Sequence, residues 1–165
     1  ISGIEFSFSS EGKIGEVELR SLIGYTYMNP ISMNSDSAYR STFSDPNTDV
    51  LKYRFKHLAK ADIEAVYKKF SLGASARYNS FMNNIDKIFE NNVPNTDIYI
   101  LPGLKAYRQE HNHGNVVFDA RIGYDISKNY RVGFVVNNLL NTEYMGRPGD
   151  IQAPRSFILQ VQLKF

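Results

Sequence analysis

Ser156-Phe157-Ile158-Leu159-Gln160-Val161-Gln162-Leu163-Lys164-Phe165 ends the chain, and its period of two decides the fold. Successive side chains on an extended strand point to opposite faces, so every second residue shares a face. Here Phe157, Leu159, Val161, Leu163 and Phe165 make an apolar face, and Ser156, Gln160, Gln162 and Lys164 a polar one, with Ile158 the exception. The pattern recurs upstream. Val116, Phe118, Ala120, Ile122 and Tyr124 alternate with Asp119, Arg121, Gly123 and Asp125. Phe70, Leu72, Ala74, Ala76 and Tyr78 alternate with Ser71, Gly73, Ser75, Arg77 and Asn79, and Ala61, Ile63, Ala65 and Tyr67 with Asp62, Glu64 and Lys68. Leu19, Ile23, Tyr25 and Tyr27 continue the series, as do Ile4, Phe6 and Phe8, and the more apolar Tyr130 to Leu139 adds another strand. The expectation is an all-β chain of seven antiparallel strands.

Alternation alone also suits a soluble sandwich or a soluble lipid-binding barrel. Three features favour an antiparallel transmembrane barrel. Most of the polar faces carry full charges, which a packed soluble core does not tolerate. The apolar faces end in Tyr and Phe, as interfacial aromatic girdles do. Strands of about nine to eleven residues match a tilted crossing of the bilayer. Composition removes other classes. The 165 residues contain no Cys, excluding a disulfide scaffold and thiolate metal sites. Lys+Arg 19 against Asp+Glu 17, with no block of like charge, gives no argument for nucleic acid. Apolar runs such as Phe134-Val135-Val136 are too short for a transmembrane helix. The chain opens at Ile1 without Met or a basic leader, which suits a mature product or a portion of a longer chain.

The links between strands alternate in length. Ser10 to Gly15, Lys68-Lys69 and Ser127 to Asn129 are short, whereas Met28 to His57, Ser80 to Asn115 and Leu140 to Pro154 are long. Outer-membrane barrels pair short periplasmic turns with long external loops. Tyr25, Tyr27 and Tyr78 then belong to the outer girdle, and Tyr67, Phe70, Tyr124 and Tyr130 to the inner one, with Phe157 on the lipid face and Phe165 ending at the periplasmic rim. Within the second long loop, Phe81, Met82, Ile85, Ile88 and Phe89 recur at helical spacing, which predicts a short amphipathic helix over Phe81 to Asn91; an extended hairpin is the alternative. Seven strands do not close a bacterial barrel, which uses an even number. Either an eighth strand is hidden in Met28 to Asp49 or Asp97 to Leu101, or the chain is the tail of a larger barrel.

Val136-Asn137-Asn138-Leu139-Leu140-Asn141-Thr142-Glu143-Tyr144 resembles the NLxNxxY signature that precedes the last strand of TonB-dependent outer-membrane receptors. Arg147-Pro148-Gly149, Ala153-Pro154-Arg155-Ser156-Phe157 and the terminal Phe165 follow in that family's order. Leu51-Lys52-Tyr53-Arg54-Phe55-Lys56-His57 resembles its L-x-x-R-P-x-H element, with Phe55 where Pro is usual, and Ile1-Ser2-Gly3-Ile4-Glu5 resembles an xxGxE strand start. The resemblance implies a C-terminal portion over 1–165 of a barrel of about 22 strands filled by a plug domain. It implies that the plug, and the N-terminal segment that contacts the TonB energy-coupling complex, lie outside this chain. It also implies that Phe165 belongs to the signal read by the barrel-assembly machinery, and that the home of the chain is the outer membrane of a Gram-negative bacterium. By their chemistry alone, Asn137, Asn138 and Asn141 suit a strand end where side-chain amides satisfy backbone groups.

No catalytic constellation assembles, so the chain is not expected to be an enzyme, nor to hold a cofactor or metal. His57, His111 and His113 are the only histidines, and His111-Asn112-His113 lacks a third ligand, which leaves a solvated polar loop as the plainer reading. Tyr39, Arg40, Tyr107, Arg108, His111 and His113 lie in external loops, where a solute would first dock. Arg20, Glu64, Arg77, Asp119, Arg121, Asp125 and Arg131, with Glu18 and Asp62 near them, lie on polar faces and suit pairing across the wall or with a plug. The family imports iron chelates, cobalamin, haem or oligosaccharides, so the resemblance implies TonB-dependent uptake of one such solute. A complete eight-stranded barrel with a structural or adhesion role is the alternative.

Overall fold

The computed structural model describes residues 1–34, 36–41, 45 and 47–164, with the side chains of residues 40 and 41 outside the description. Seven strands form one sheet in chain order: β1 (Ser2–Ile14), β2 (Val17–Asn29), β3 (His57–Tyr67), β4 (Phe70–Asn79), β5 (Asn115–Asp125), β6 (Tyr130–Asn137) and β7 (Ser156–Leu163). Every neighbouring pair is antiparallel. β1 and β2 run to 13 residues and β6 and β7 to 8, against the expected nine to eleven. The excess in β1 comes from its inner end. Its ladder with β2 continues to Ile14↔Val17, so the turn is Gly15-Glu16 rather than Ser10 to Gly15. Gly15 has a φ of 61°, the positive value that the first position of a two-residue hairpin of this kind requires.

The register keeps the two faces separate across the whole sheet. One row of cross-strand partners runs Phe6↔Tyr25↔Ala59↔Tyr78↔Val116, and another Tyr67↔Phe70↔Tyr124↔Val132↔Val161. These rows carry the aromatic residues expected at the two girdles. Along β3 they lie about eight residues apart, or ~26 Å of extended chain. At a tilt of ~40° that becomes about 20 Å, close to the apolar band of a thin outer membrane. Leu159 is 71% exposed, Ile4 73% and Leu72 63%, all on this face. Among the described residues the buried apolar side chains are Pro30, Met82, Ile85, Leu104 and Val117. The sheet has no core of its own, and an apolar face this broad needs lipid to cover it.

The apolar core lies above the sheet instead, in the outer loops. Met82, Ile85 and Leu104 form its centre, with Tyr53, Phe55, Phe89, Leu101 and Met145 packed around them. Loops 30–56, 80–114 and 138–155 all contribute. The helix expected over Phe81 to Asn91 is not formed; only a 3-10 turn, Lys87–Phe89, appears there. Asn83 and Asn84 compete poorly for helical backbone, and the neighbouring loop takes up the free groups. Tyr53 N donates to the Asn84 carbonyl, and Asn84 Nδ2 to the Val50 carbonyl. The apolar residues at that spacing are buried all the same, in an irregular segment. Helices form where none was anticipated: α1 (Ser37–Ser41) and α2 (Leu104–Glu110). The two places for an eighth strand hold only the isolated bridges Ile31↔Val50 and Asn92↔Tyr99 among the described residues. The complete eight-stranded barrel is therefore not favoured.

Candidate functional site

The polar face carries a network of ion pairs built around glycines. Arg121 on β5 holds Asp62 on β3 with two parallel bonds of 2.7 and 2.8 Å, and reaches Glu64 at 3.4 Å. β4 stands between them, but the residue at the crossing is Gly73. A Cβ there would sit 2.5 Å from Arg121 Cζ. Arg131 uses Gly123 in the same way: it crosses β5 to donate to Ser71 Oγ at 2.6 Å and also pairs with Asp125 at 3.5 Å. Arg20 pairs with Glu11 at 3.1 Å. Six of the seven expected wall residues, namely Arg20, Glu64, Arg77, Arg121, Asp125 and Arg131, thus engage one another or an adjacent strand. Asp62 and Gly73 complete the arrangement.

Asp119 is the seventh, and it connects wall to loop. Its Oδ2 accepts from Arg77 and Ser75, each at 3.3 Å, while Oδ1 accepts from the backbone N of Asn138 at 2.8 Å. Asn138 is 3% exposed and has a φ of 51°, a left-handed conformation that Asn tolerates better than most residues. Its Nδ2 donates to the carbonyls of Thr142 and Ala153, and its Oδ1 accepts from Thr142 N. Asn141 Oδ1 accepts from Arg155 N. These amides tie the start of loop 138–155 to its end, so β7 enters the sheet from a fixed point.

In the second loop, α2 brings Tyr107 and Arg108 into the apolar cluster. Arg108 donates to Glu90 and to the Met82 carbonyl, both at 2.8 Å, and its guanidinium lies 4.5 Å from the Phe81 ring centroid. That leaves little of Arg108 for a solute. Tyr107 donates to the Glu143 carbonyl and stacks on His111 at 4.2 Å. Burial pushes its phenol above the ordinary value, with the Glu143 charge a second cause. Loop 30–56 joins loop 80–114 through Asp86, which accepts from Lys52 Nζ at 2.5 Å and from the Tyr53 hydroxyl. Burial, then the hydrogen bond to Asp86, raises the Tyr53 phenol.

A cavity of about 180 Å³ opens between these loops, lined among others by Phe81, Tyr107, Arg108, His111, Tyr144 and Arg147. It offers aromatic surface and cationic groups together, a combination suited to flat or anionic solutes. Of the loop residues singled out by sequence, Tyr107, Arg108 and His111 come together here. His113 is exposed, and its carbonyl accepts from Tyr78 at 3.4 Å. Tyr39 is 41% exposed on α1. The Arg40 side chain and Phe165 lie outside the described residues. No group of three or more His, Asp or Glu side chains suited to a metal occurs among the described residues.

A wall with one apolar and one charged face, topped by packed loops, is a segment of a transmembrane β-barrel. The family model described as TonB dependent receptor-like, beta-barrel matches residues 1–139, and the chain belongs to that family, whose members are receptors of the Gram-negative outer membrane. Among solved structures, the ferric-catecholate import receptor Fiu from E. coli K12 in its closed form matches at a TM-score of 0.66 and 20% identity, covering 96% of this chain and 20% of that one. Its open form matches at 0.58 and 18%, covering 98% and 20%. The siderophore receptor PiuA from Acinetobacter baumannii matches at 0.57 and 20%, covering 99% and 22%. These likenesses are of fold. The chain spans about a fifth of the length of these receptors. No curated protein matches it.

Proposed function

We propose that this chain is barrel wall and outer loops of a receptor that takes up an iron chelate across the outer membrane, driven through TonB. The family match over residues 1–139 carries the reading. Two matched receptors are named for a ferric catecholate and for a siderophore, and the loop cavity with its aromatic and cationic lining agrees with such a cargo. The seven strands are then the C-terminal part of a larger closed barrel, since β1 and β7 pair with no further strand among the described residues. A plug domain fills the lumen and faces the charged wall. Release of the cargo requires that plug to rearrange under force from the coupling complex, and this chain supplies the rigid frame against which it moves.

The test is uptake of radioactive iron as catecholate and hydroxamate chelates by cells with and without the gene, in energised and TonB-deficient backgrounds. Energy-dependent import of one chelate, lost on deletion, is the expected result. Import of cobalamin or an oligosaccharide in place of any chelate would overturn the choice of cargo while leaving the transport class in place.

A further inference from the structure

On the charged face of the sheet, Lys60 of β3 and Arg77 of β4 are direct cross-strand partners. They stand at the depth of the outer aromatic row, since the adjacent pair Ala59↔Tyr78 belongs to that row and points to the opposite face. Like charges directly opposite one another in a ladder repel. Little in the wall relieves this pair. Arg77 reaches Asp119 at 3.3 Å, and the same carboxylate accepts from Ser75 and from Asn138 N. Asp62, two residues along β3 from Lys60, has both oxygens taken by Arg121. Lys60 itself has no hydrogen-bond or ion-pair partner among the described residues. Its stem lies over Gly24 of β2, where a Cβ would sit 2.9 Å from Lys60 Cε, as Arg121 lies over Gly73 and Arg131 over Gly123. Those two crossings end on acceptors, and the Lys60 crossing ends on none.

The two cations line a cleft of about 400 Å³, together with Thr26, Asn115 and Tyr144. Among the described residues that line it, Glu5 is the one carboxylate, and β2 and β3 stand between its strand and that of Arg77. Asn115 Oδ1 is buried without a hydrogen-bond partner, an acceptor that calls for a donor. Asn115 and Tyr144 also line the loop cavity, so the two spaces adjoin. At about 180 Å³ the loop cavity is smaller than the ~300–1,000 Å³ of sites that enclose drug-sized solutes, and the cleft extends it along the charged face. We propose that Lys60 and Arg77 form an anion-binding station below the outer loops, which receives an anionic chelate from the loop cavity and selects it over a neutral one. Asn115 Oδ1 accepts from an N–H or O–H of the same solute. An anion between the two cations relieves their repulsion, so the station responds to the charge of the solute as well as to its shape. The identity of the cargo rests on the uptake reading above, and the sign of its charge on the cationic pair.

The experiment takes the whole receptor that carries this chain, in detergent, and measures binding of two radioactive iron chelates. Ferric tris-catecholate is a trianion, and ferric tris-hydroxamate is neutral. The wild type is expected to bind the trianion more tightly, by a margin that shrinks as salt is added. K60Q/R77Q is expected to lose roughly tenfold or more in affinity for the trianion and nothing for the neutral chelate. Lys13→Gln removes a cation from the same face at the inner end of β1 and is expected to change neither. Folding of each variant is checked by the faster migration of unheated barrel on a gel. A folded double variant that keeps its affinity for the trianion overturns the station, and so does an equal loss for both chelates. Unchanged chelate binding with faster hydrogen exchange in the plug of the cargo-free receptor would show that a plug carboxylate occupies the pair, and would overturn it as well. Citrate, a trianion without iron, reads the cationic pair apart from the cargo, and is expected to raise the melting temperature of the wild type more than that of K60Q/R77Q. If that difference holds while the wild type binds neither chelate, the chelate reading fails and the anion site remains. If chelates bind and neither citrate nor the double variant distinguishes the pair, the station fails and the uptake reading remains.

Discussion

The wall and the outer loops are built from the same chain by different means. In the wall, backbone ladders hold everything, and a side chain matters chiefly for which face it occupies. In the loops, single side chains replace the ladder: Asn84, Asp86, Arg108, Asn138 and Asn141 each bond backbone or side chains of a distant segment. The wall should therefore tolerate many substitutions that respect its period, and the loops few at particular positions. The largest expected contrast is at Gly114, where loop 80–114 returns to β5. Its φ is 85°, and an added Cβ would run into the Asn79 carbonyl and the Ser80 backbone. Gly114→Ala is expected to cost about 3 kcal/mol or more. Limited proteolysis should show new cleavage within 80–114 while strand exchange protection stays intact. Gly12, with open space around its Cβ position, is the matched wall site, and Gly12→Ala should be silent.

Within the wall, the distinction between faces can be broken by one-residue steps. Ala74 lies in the row Ile63↔Ala74↔Ala120↔Val136, midway between the girdles, and Ser75 beside it faces the lumen. Ala74→Arg is expected to destabilise the folded barrel by ~2–4 kcal/mol in lipid, and Ser75→Arg by well under half of that. Urea titration in vesicles measures both. Equal effects would mean that the apolar face does not meet hydrocarbon.

Asn138 tests the junction of the two regions. Asn138→Ala removes three hydrogen bonds at a buried site and leaves the left-handed backbone without the residue that favours it. A loss of about 2–3 kcal/mol is expected, seen as faster hydrogen exchange across 138–155. Asn138→Gly relieves the backbone but not the bonds, so it should recover only part. Asn138→Asp should be no better than Ala, because it loses both donations and adds a carboxylate beside Asp119.

These contrasts also explain what could be read from sequence. Period two survives in the sheet because successive side chains point to opposite faces, so seven strands and their apolar and charged faces were legible at once. Glu64, Arg77, Asp119 and Arg121 could be placed on that face without a structure. That Arg121 reaches Asp62 over Gly73 could not, since it depends on the register of three strands. Phe81, Met82 and Ile85 misled in the opposite way. Their spacing reflects burial against Leu104 and the neighbouring loops, and burial in irregular backbone has no period of its own. Asn138 was visible through its motif, whereas Asp86 and Asn84 lie in no pattern, as their partners are more than thirty residues away.

Gly73 offers a smaller and more local test of the wall. A methyl group there displaces the Arg121 side chain from Asp62 and Glu64. These groups are only partly shielded from water, so Gly73→Ala should cost about 1 kcal/mol, and in Arg121→Gln the further effect of the same change should vanish. A double-mutant cycle on thermal stability measures the coupling; additive effects would show that the two residues act separately.

The smallest effect expected is in pH. Tyr53 holds its proton more tightly when folded than the ordinary phenol at 10.0, because it is buried and donates to Asp86. In the unfolded loop the same phenol ionises first. Between the two values the folded state carries the extra proton, so stability falls as pH rises. The contribution is complete below pH 10 and lost above it. The junction between loops 30–56 and 80–114 should thus loosen above pH 10, while the ladders of the wall rest on backbone hydrogen bonds. Phenolate absorbance of the wild type minus Tyr53→Phe should show a late-ionising component whose appearance coincides with protease access to these loops. At neutral pH the same substitution should cost about 1 kcal/mol through the lost hydrogen bond. If the late component remained in Tyr53→Phe, it would belong to Tyr107, which burial raises in the same direction, and the joint between the first two loops would not depend on the Tyr53 proton.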